Sequence, residues 1–72
     1  MAKHLRTDSI DVTKPTILVV DDDEFARENV EISLQSAGAN VLTAGSAYQA
    51  LKATEATYCH IVVTDLKMPG MD

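Results

Sequence analysis

Carboxylates follow a run of apolar, β-prone residues twice in this chain. Ile17-Leu18-Val19-Val20 leads into Asp21-Asp22-Asp23-Glu24, and Ile61-Val62-Val63-Thr64 leads into Asp65. If the two runs are neighbouring strands, Asp21, Asp22 and Asp65 converge, and three carboxylates that close cannot all stay ionised without a cation to offset their repulsion. Mg2+ suits such a donor set, because it is a hard ion that takes oxygen ligands, keeps several waters and bridges to phosphate. A carboxylate held beside Mg2+ is also a nucleophile for phosphoryl transfer, which makes Asp65 a candidate phosphoacceptor forming an aspartyl phosphate. The competing explanation of the acidic run is helix capping, since carboxylates are favoured at an N-cap and in a first turn. Capping uses one or two of the four residues and leaves the others to be explained.

The elements that must position these groups follow from the pattern of apolar residues. The run over 16–20 reads as a first strand, and Asp21 to Glu24 both stops it and opens a helix over about 24–37. Ala26, Val30, Leu34 and Ala37 recur there at near-helical spacing while Arg27, Glu28, Glu31 and Gln35 point elsewhere, and Phe25 and Ile32 are expected to widen the packed face. Gly38 is the natural stop. Residues 40–44 suit a short strand. Ser46 with Gln49 three positions later has the capping-box pattern and starts a second helix to about Ala56, with Ala47, Ala50, Leu51 and Thr54 on one face. Tyr48 and Tyr58 are expected to be half-buried, and Cys59 to be a small core hydrophobe. His60, without a second ligand at metal spacing, reads as a strand-edge residue rather than a metal ligand or phosphocarrier. The run over 61–64 reads as a strand buried on both faces, ended by Pro69-Gly70. Strand, helix, strand, helix, strand implies right-handed crossovers and a parallel α/β sheet, whose ligands bind at the carboxyl ends of the strands.

Composition sets the outer bounds. With 72 residues the chain is one small domain at most, and 46% hydrophobic with 24% charged residues is ordinary for a globular protein. A net charge of −5 and six Lys and Arg scattered without a cluster give no footprint for nucleic acid or an anionic membrane. No run approaches the length of a membrane span and no apolar signal region opens the chain, so a cytoplasmic location is expected. Residues 1–15 mix charges with Ser and Thr without a period and read as a flexible leader, with the folded unit over 16–72.

Two motifs at the proper separation carry a family resemblance. Ile17 to Glu24 with Arg27, Val30 and Leu34 behind it, and Asp65-Leu66-Lys67-Met68-Pro69-Gly70, are similar to the receiver domain of bacterial two-component response regulators. The resemblance covers residues 16–72 and implies a flavodoxin-like sheet with strand order two, one, three, four, five, of which this chain holds the first three strands and two helices. It further implies that Asp65 takes a phosphoryl group from a histidine kinase or phosphotransfer protein, and that Asp21, Asp22, Asp65 and the backbone carbonyl of Lys67 hold Mg2+. The chain would then be a phosphoacceptor that assists its own phosphotransfer rather than an enzyme. The family's Ser or Thr after a fourth strand and Lys after a fifth have no counterpart before Asp72; Lys67 matches the metal-carbonyl position instead. A truncated receiver is therefore expected to be poorly active alone, and its uncovered third strand to drive homo-oligomer formation. Two other readings stay open. One is a non-catalytic interaction module derived from a receiver. The other is a phosphohydrolase fragment of haloacid-dehalogenase type, with Asp21 as nucleophile and Asp23 as acid/base, although that family wants a Thr where this chain has Phe25.

Overall fold

A computed structural model describes residues 10–64 of the chain. Its elements alternate as β1 (Thr16–Val20), α1 (Glu24–Ser36), β2 (Asn40–Ala44), α2 (Ala47–Ala56) and β3 (Ile61–Thr64). The strands form one parallel sheet in the order β2-β1-β3, the arrangement the resemblance implies. Register is level at the carboxyl end, where Val20 pairs with Ala44 on one side and with Thr64 on the other.

Alternation along β1 sorts its side chains to two faces. Ile17 and Val19 join Val41 in one cluster, against which Val30, Leu34 and Ala39 pack from the α1 side. Leu18 and Val20 join Leu42 and Ala44 in the other, covered by Ala50, Ala53 and Cys59. Both helices therefore lie over β1 and β2. Burial also pushes the Cys59 thiol pKa up, so the sulfur stays protonated and takes the core role its sequence position suggests. Gly38 ends α1 with φ +99, a conformation that disfavours any residue carrying a Cβ.

Several side chains face otherwise than their sequence pattern suggests. Phe25 and Ile32 are 78% and 57% exposed rather than packed, because successive helical residues rotate by about 100° and neither shares the stripe of Val30 and Leu34. Glu31 is buried instead, four residues after Arg27 and three before Leu34 on the stripe that meets the sheet. In α2 the packed pair is Ala50 and Ala53, which turns Leu51 and Thr54 outward. Tyr48 and Tyr58 are exposed rather than half-buried. For β3 the apolar run taken alone suggests burial on both faces, whereas the structure has the uncovered third strand expected of a truncated receiver. Ile61, Val62 and Val63 are 50%, 50% and 40% exposed, because among the described residues the helices lie over β1 and β2.

The amino-terminal end of the sheet is tied by polar groups. Asn40 Nδ2 donates to the carbonyls of Asp11 (2.8 Å) and Lys14 (3.2 Å), while Asn40 Oδ1 accepts from the Asp11 amide (3.1 Å). Residues 11–14 are thereby fastened to β2. His60 joins β1 to β3 twice: its Nδ1 accepts from the Thr16 amide (3.0 Å) and its own amide donates to the Thr16 carbonyl (2.8 Å). That geometry is the strand-edge role, and it places the ring proton on Nε2. Asp11 also closes a turn, its Oδ1 accepting from the Thr13 hydroxyl (2.6 Å) and amide (2.9 Å). The Thr13 hydroxyl first, and then the amide, hold the Asp11 carboxyl below its ordinary 3.8. A lowered native pKa means that the turn's contribution is complete above the ordinary value and is lost as pH falls through the lower one. An acid titration followed at the Thr13 amide should therefore have its midpoint below 3.8; a midpoint at or above that value would contradict the turn.

Candidate functional site

The acidic run after β1 divides its labour. Asp23 is the N-cap of α1, its Oδ1 accepting from the amides of Phe25 (3.0 Å) and Ala26 (3.4 Å), and Glu24 occupies the first turn where the helix dipole favours negative charge. Capping thus accounts for Asp23 and Glu24 and leaves Asp21 and Asp22. Asp22 is exposed. Asp21 is partly buried and fixed at three points: its amide donates to the Ala44 carbonyl (3.1 Å), its Oδ1 accepts from the Asp23 amide (2.9 Å), and its carbonyl accepts from Arg27 Nη1 (2.7 Å). Those contacts leave Oδ2 as the Asp21 oxygen for an ion. The different duties of neighbouring aspartates predict different costs of removal. Asp23→Ala should lower stability by about 1 kcal/mol, and Asp23→Asn by much less because Asn also caps. Asp22→Ala should stay within roughly 0.5 kcal/mol. Urea unfolding measures all three, and equal losses at Asp22 and Asp23 would contradict the assignment.

The loop after β2 lies at the same end of the sheet. Ser46 caps α2 by accepting from the Gln49 amide (3.1 Å), and Gln49 Oε1 reaches back to the Gly45 amide (2.7 Å), one residue further than the reciprocal bond of an ordinary capping box. Asp21 and Ala44 join the two loops through their backbone bond.

Sequence reasoning placed Asp21, Asp22, Asp65 and Lys67 together. The structure sets Asp21 and Asp22 at the end of β1, whereas Asp65 and Lys67 lie outside the described residues. Among the described residues no three His, Cys, Asp or Glu side chains form a group able to hold a metal ion. A cavity of about 300 Å3 lies at the other end of the sheet, lined by residues such as Ile10, Thr16, Tyr58 and His60, and a larger one of about 460 Å3 is lined by Tyr48, Gln49, Lys52 and Ala53 of α2. In the sequence Arg27 reads as a residue pointing away from the core and as part of the motif behind β1, and nothing in a lone arginine at that spacing reveals that it donates to a carbonyl six residues back.

Strand order, the level register and the acidic loop after β1 describe a parallel α/β fold, and a family model decides which. The response regulator receiver domain model matches residues 17–72. The chain belongs to that family. Receiver domains are the phosphoacceptor signalling domains of two-component systems rather than enzymes in the ordinary sense. Curated relatives agree in kind. The chain is 38% identical over 58 residues to the C4-dicarboxylate transport transcriptional regulatory protein DctD of Rhizobium meliloti (strain 1021), covering 81% of this chain and 13% of DctD. It is 34% identical over 58 residues to the autoinducer 1 sensor kinase/phosphatase LuxN of Vibrio harveyi, covering 81% of this chain and 7% of LuxN. It is also 34% identical over 58 residues to the transcriptional regulatory protein AfsQ1 of Streptomyces coelicolor (strain ATCC BAA-471 / A3(2) / M145), covering 81% of this chain and 26% of AfsQ1. This receiver chain thus spans a small part of each relative's length. No solved structure matches it. No helix among the described residues is long and apolar enough to cross a membrane.

Proposed function

We propose that this receiver domain accepts a phosphoryl group on Asp65 from a histidine kinase or phosphotransfer protein, with Mg2+ held by Asp21, Asp22, Asp65 and the Lys67 carbonyl. One observation supports the reading: β1 and β3 are parallel neighbours with Val20 level with Thr64, so the strand that Asp21 follows in sequence lies beside the strand that Asp65 follows in sequence.

The donor set fits the ion. Every proposed ligand is a hard oxygen, and Asp21 keeps Oδ2 for it while Oδ1 is spent on the Asp23 amide. Thr64 Oγ1, buried at the same strand end, has no hydrogen-bond partner among the described residues, so the end of β3 holds polar capacity that the fold does not use. When bound, Mg2+ supplies charge to offset the phosphoryl oxygens. The chain's own residues do the rest. The Asp65 carboxylate oxygen forms the new P–O bond as the P–N bond of a phosphohistidine breaks, and the departing imidazole nitrogen takes a proton from solvent. The Asp23 amide and Arg27 keep Asp21 from turning away. In a chain extended to carry the family's Ser or Thr and Lys, incubation with acetyl phosphate and Mg2+, followed by peptide mapping, should place the added phosphoryl group on Asp65, with poor labelling of the 72-residue chain itself. A group mapped to Asp21 would favour phosphohydrolase chemistry, and no group on any aspartate would favour a non-catalytic interaction module.

We also infer that the 72-residue chain self-associates through β3. That strand carries neither charge nor Pro to block pairing, and among the described residues its β-branched side chains are half-exposed on both faces. A two-fold axis would pair two copies antiparallel and set like apolar residues against each other.

A further inference from the structure

The side chain of Arg27 links the acidic loop to the loop after β2. Its Nη1 donates to the Asp21 carbonyl at 2.7 Å, a short charge-assisted bond. The same nitrogen lies 3.1 Å from where a Cβ on Gly45 would stand, and Gln49 Oε1, which accepts from the Gly45 amide, lies 3.4 Å from that point. Gly45 does not have a positive φ, so its glycine answers a need for space rather than for backbone conformation. The guanidinium occupies that space. Asp21 is consequently held from two directions, its amide by the last residue of β2 and its carbonyl by a side chain that runs beneath the next residue of the same loop.

We propose that Arg27 is a positioning residue for the acidic site, fixing Asp21 through its carbonyl, and that Gly45 keeps room for the guanidinium, since a Cβ there would stand 3.1 Å from Nη1 and press it aside. The consequence for Mg2+ rests on the ligand set proposed above; the consequence for loop order does not. A loss of the carbonyl bond frees the Asp21 backbone to rotate and with it the direction of the carboxylate, which is how partners outside the ligand shell tune a metal site.

The test compares the 72-residue chain with Arg27→Gln, Arg27→Lys, Gly45→Ala and the double variant Arg27→Gln/Gly45→Ala. Backbone order parameters and Mg2+ titrations are read by NMR, and amide protection of Leu18, Val19 and Val41 serves as the measure of the core. In Arg27→Gln, order parameters at Asp21, Asp22, Gly45 and Ser46 should fall from about 0.85 toward 0.6 while core protection is unchanged. The Mg2+ midpoint should rise about 10-fold. Arg27→Lys, which keeps one donor and the charge, should recover part of both. Gly45→Ala should move the same signals in the same direction as Arg27→Gln but by less, and the double variant should be no worse than Arg27→Gln alone, because both changes act on the same contact. Unchanged order at Asp21 in Arg27→Gln, or additive losses in the double variant, would overturn the proposal. A wild-type chain that binds no Mg2+ would sink the ligand set instead, and the order parameters would still decide the role of Arg27.

Discussion

Asp65→Asn should reduce phosphoryl labelling by acetyl phosphate to background, while Asp21→Asn and Asp22→Asn should slow it without moving its location. The asymmetry follows from the roles. An amide oxygen at position 65 is a poor nucleophile and cannot form the acyl phosphate, so no residual route to that product exists. Asp21 and Asp22 act through charge and orientation, and removing one oxygen ligand leaves the nucleophile in place. Asp23 belongs to neither class, because its carboxylate caps α1. The phosphohydrolase alternative assigns the nucleophile to Asp21 and the acid/base to Asp23, and predicts the reverse ranking. Intact-mass measurement of the three variants separates the two, and labelling that survived Asp65→Asn but vanished in Asp21→Asn would overturn the present assignment.

Val62→Lys should weaken self-association of the chain at least about 10-fold, or roughly 1.4 kcal/mol. Val62 is half-exposed near the middle of β3, and antiparallel pairing about a two-fold axis would bring its two copies near each other. One substitution then places two ammonium groups side by side on an edge that had no charge, and like charges facing across strands disfavour pairing. The effect on the single chain should be small, because a side chain so exposed contributes little to the clusters around Leu18 and Val19. Analytical ultracentrifugation at micromolar concentrations reads the change directly. A wild-type chain that is monomeric there, with protected amides from Ile61 to Thr64, would contradict self-association through this edge.

How much of this was legible in the sequence depends on the physical origin of each feature. Strand and helix bounds were, because the β-branched runs, the Ser46 cap and Gly38 each act locally. Which way a helical side chain faces was not. Phe25 and Ile32 are large and apolar, and size alone suggested packing, yet the stripe that meets the sheet runs through Arg27, Glu31 and Leu34. The exposure of β3 matches the uncovered third strand expected of a truncated receiver and not the apolar run taken alone, because such a run reports suitability for cover, whereas cover itself depends on where α1 and α2 lie. At the site, the existence of an acidic cluster was readable from composition along the chain. Its division into a capping aspartate and two others was not, since that is decided by amide directions at the start of α1. Arg27 and Gly45 were invisible as a pair, because they lie in α1 and in the loop after β2, 18 residues apart in sequence, and only the β1–β2 pairing brings them together.

The account rests on Asp21, Asp22 and the segment following β3 forming one oxygen-ligand site, and an NMR titration with Mg2+ tests that most directly. The backbone resonances of Asp21, Asp22, Asp65 and Lys67 should move together with a single midpoint, ahead of those at the Asn40 and His60 end of the sheet, and the shared midpoint should rise in Asp65→Asn. No movement at Mg2+ concentrations on the order of 10 mM, or movement at Asp21 and Asp22 with Asp65 and Lys67 unaffected, would contradict it.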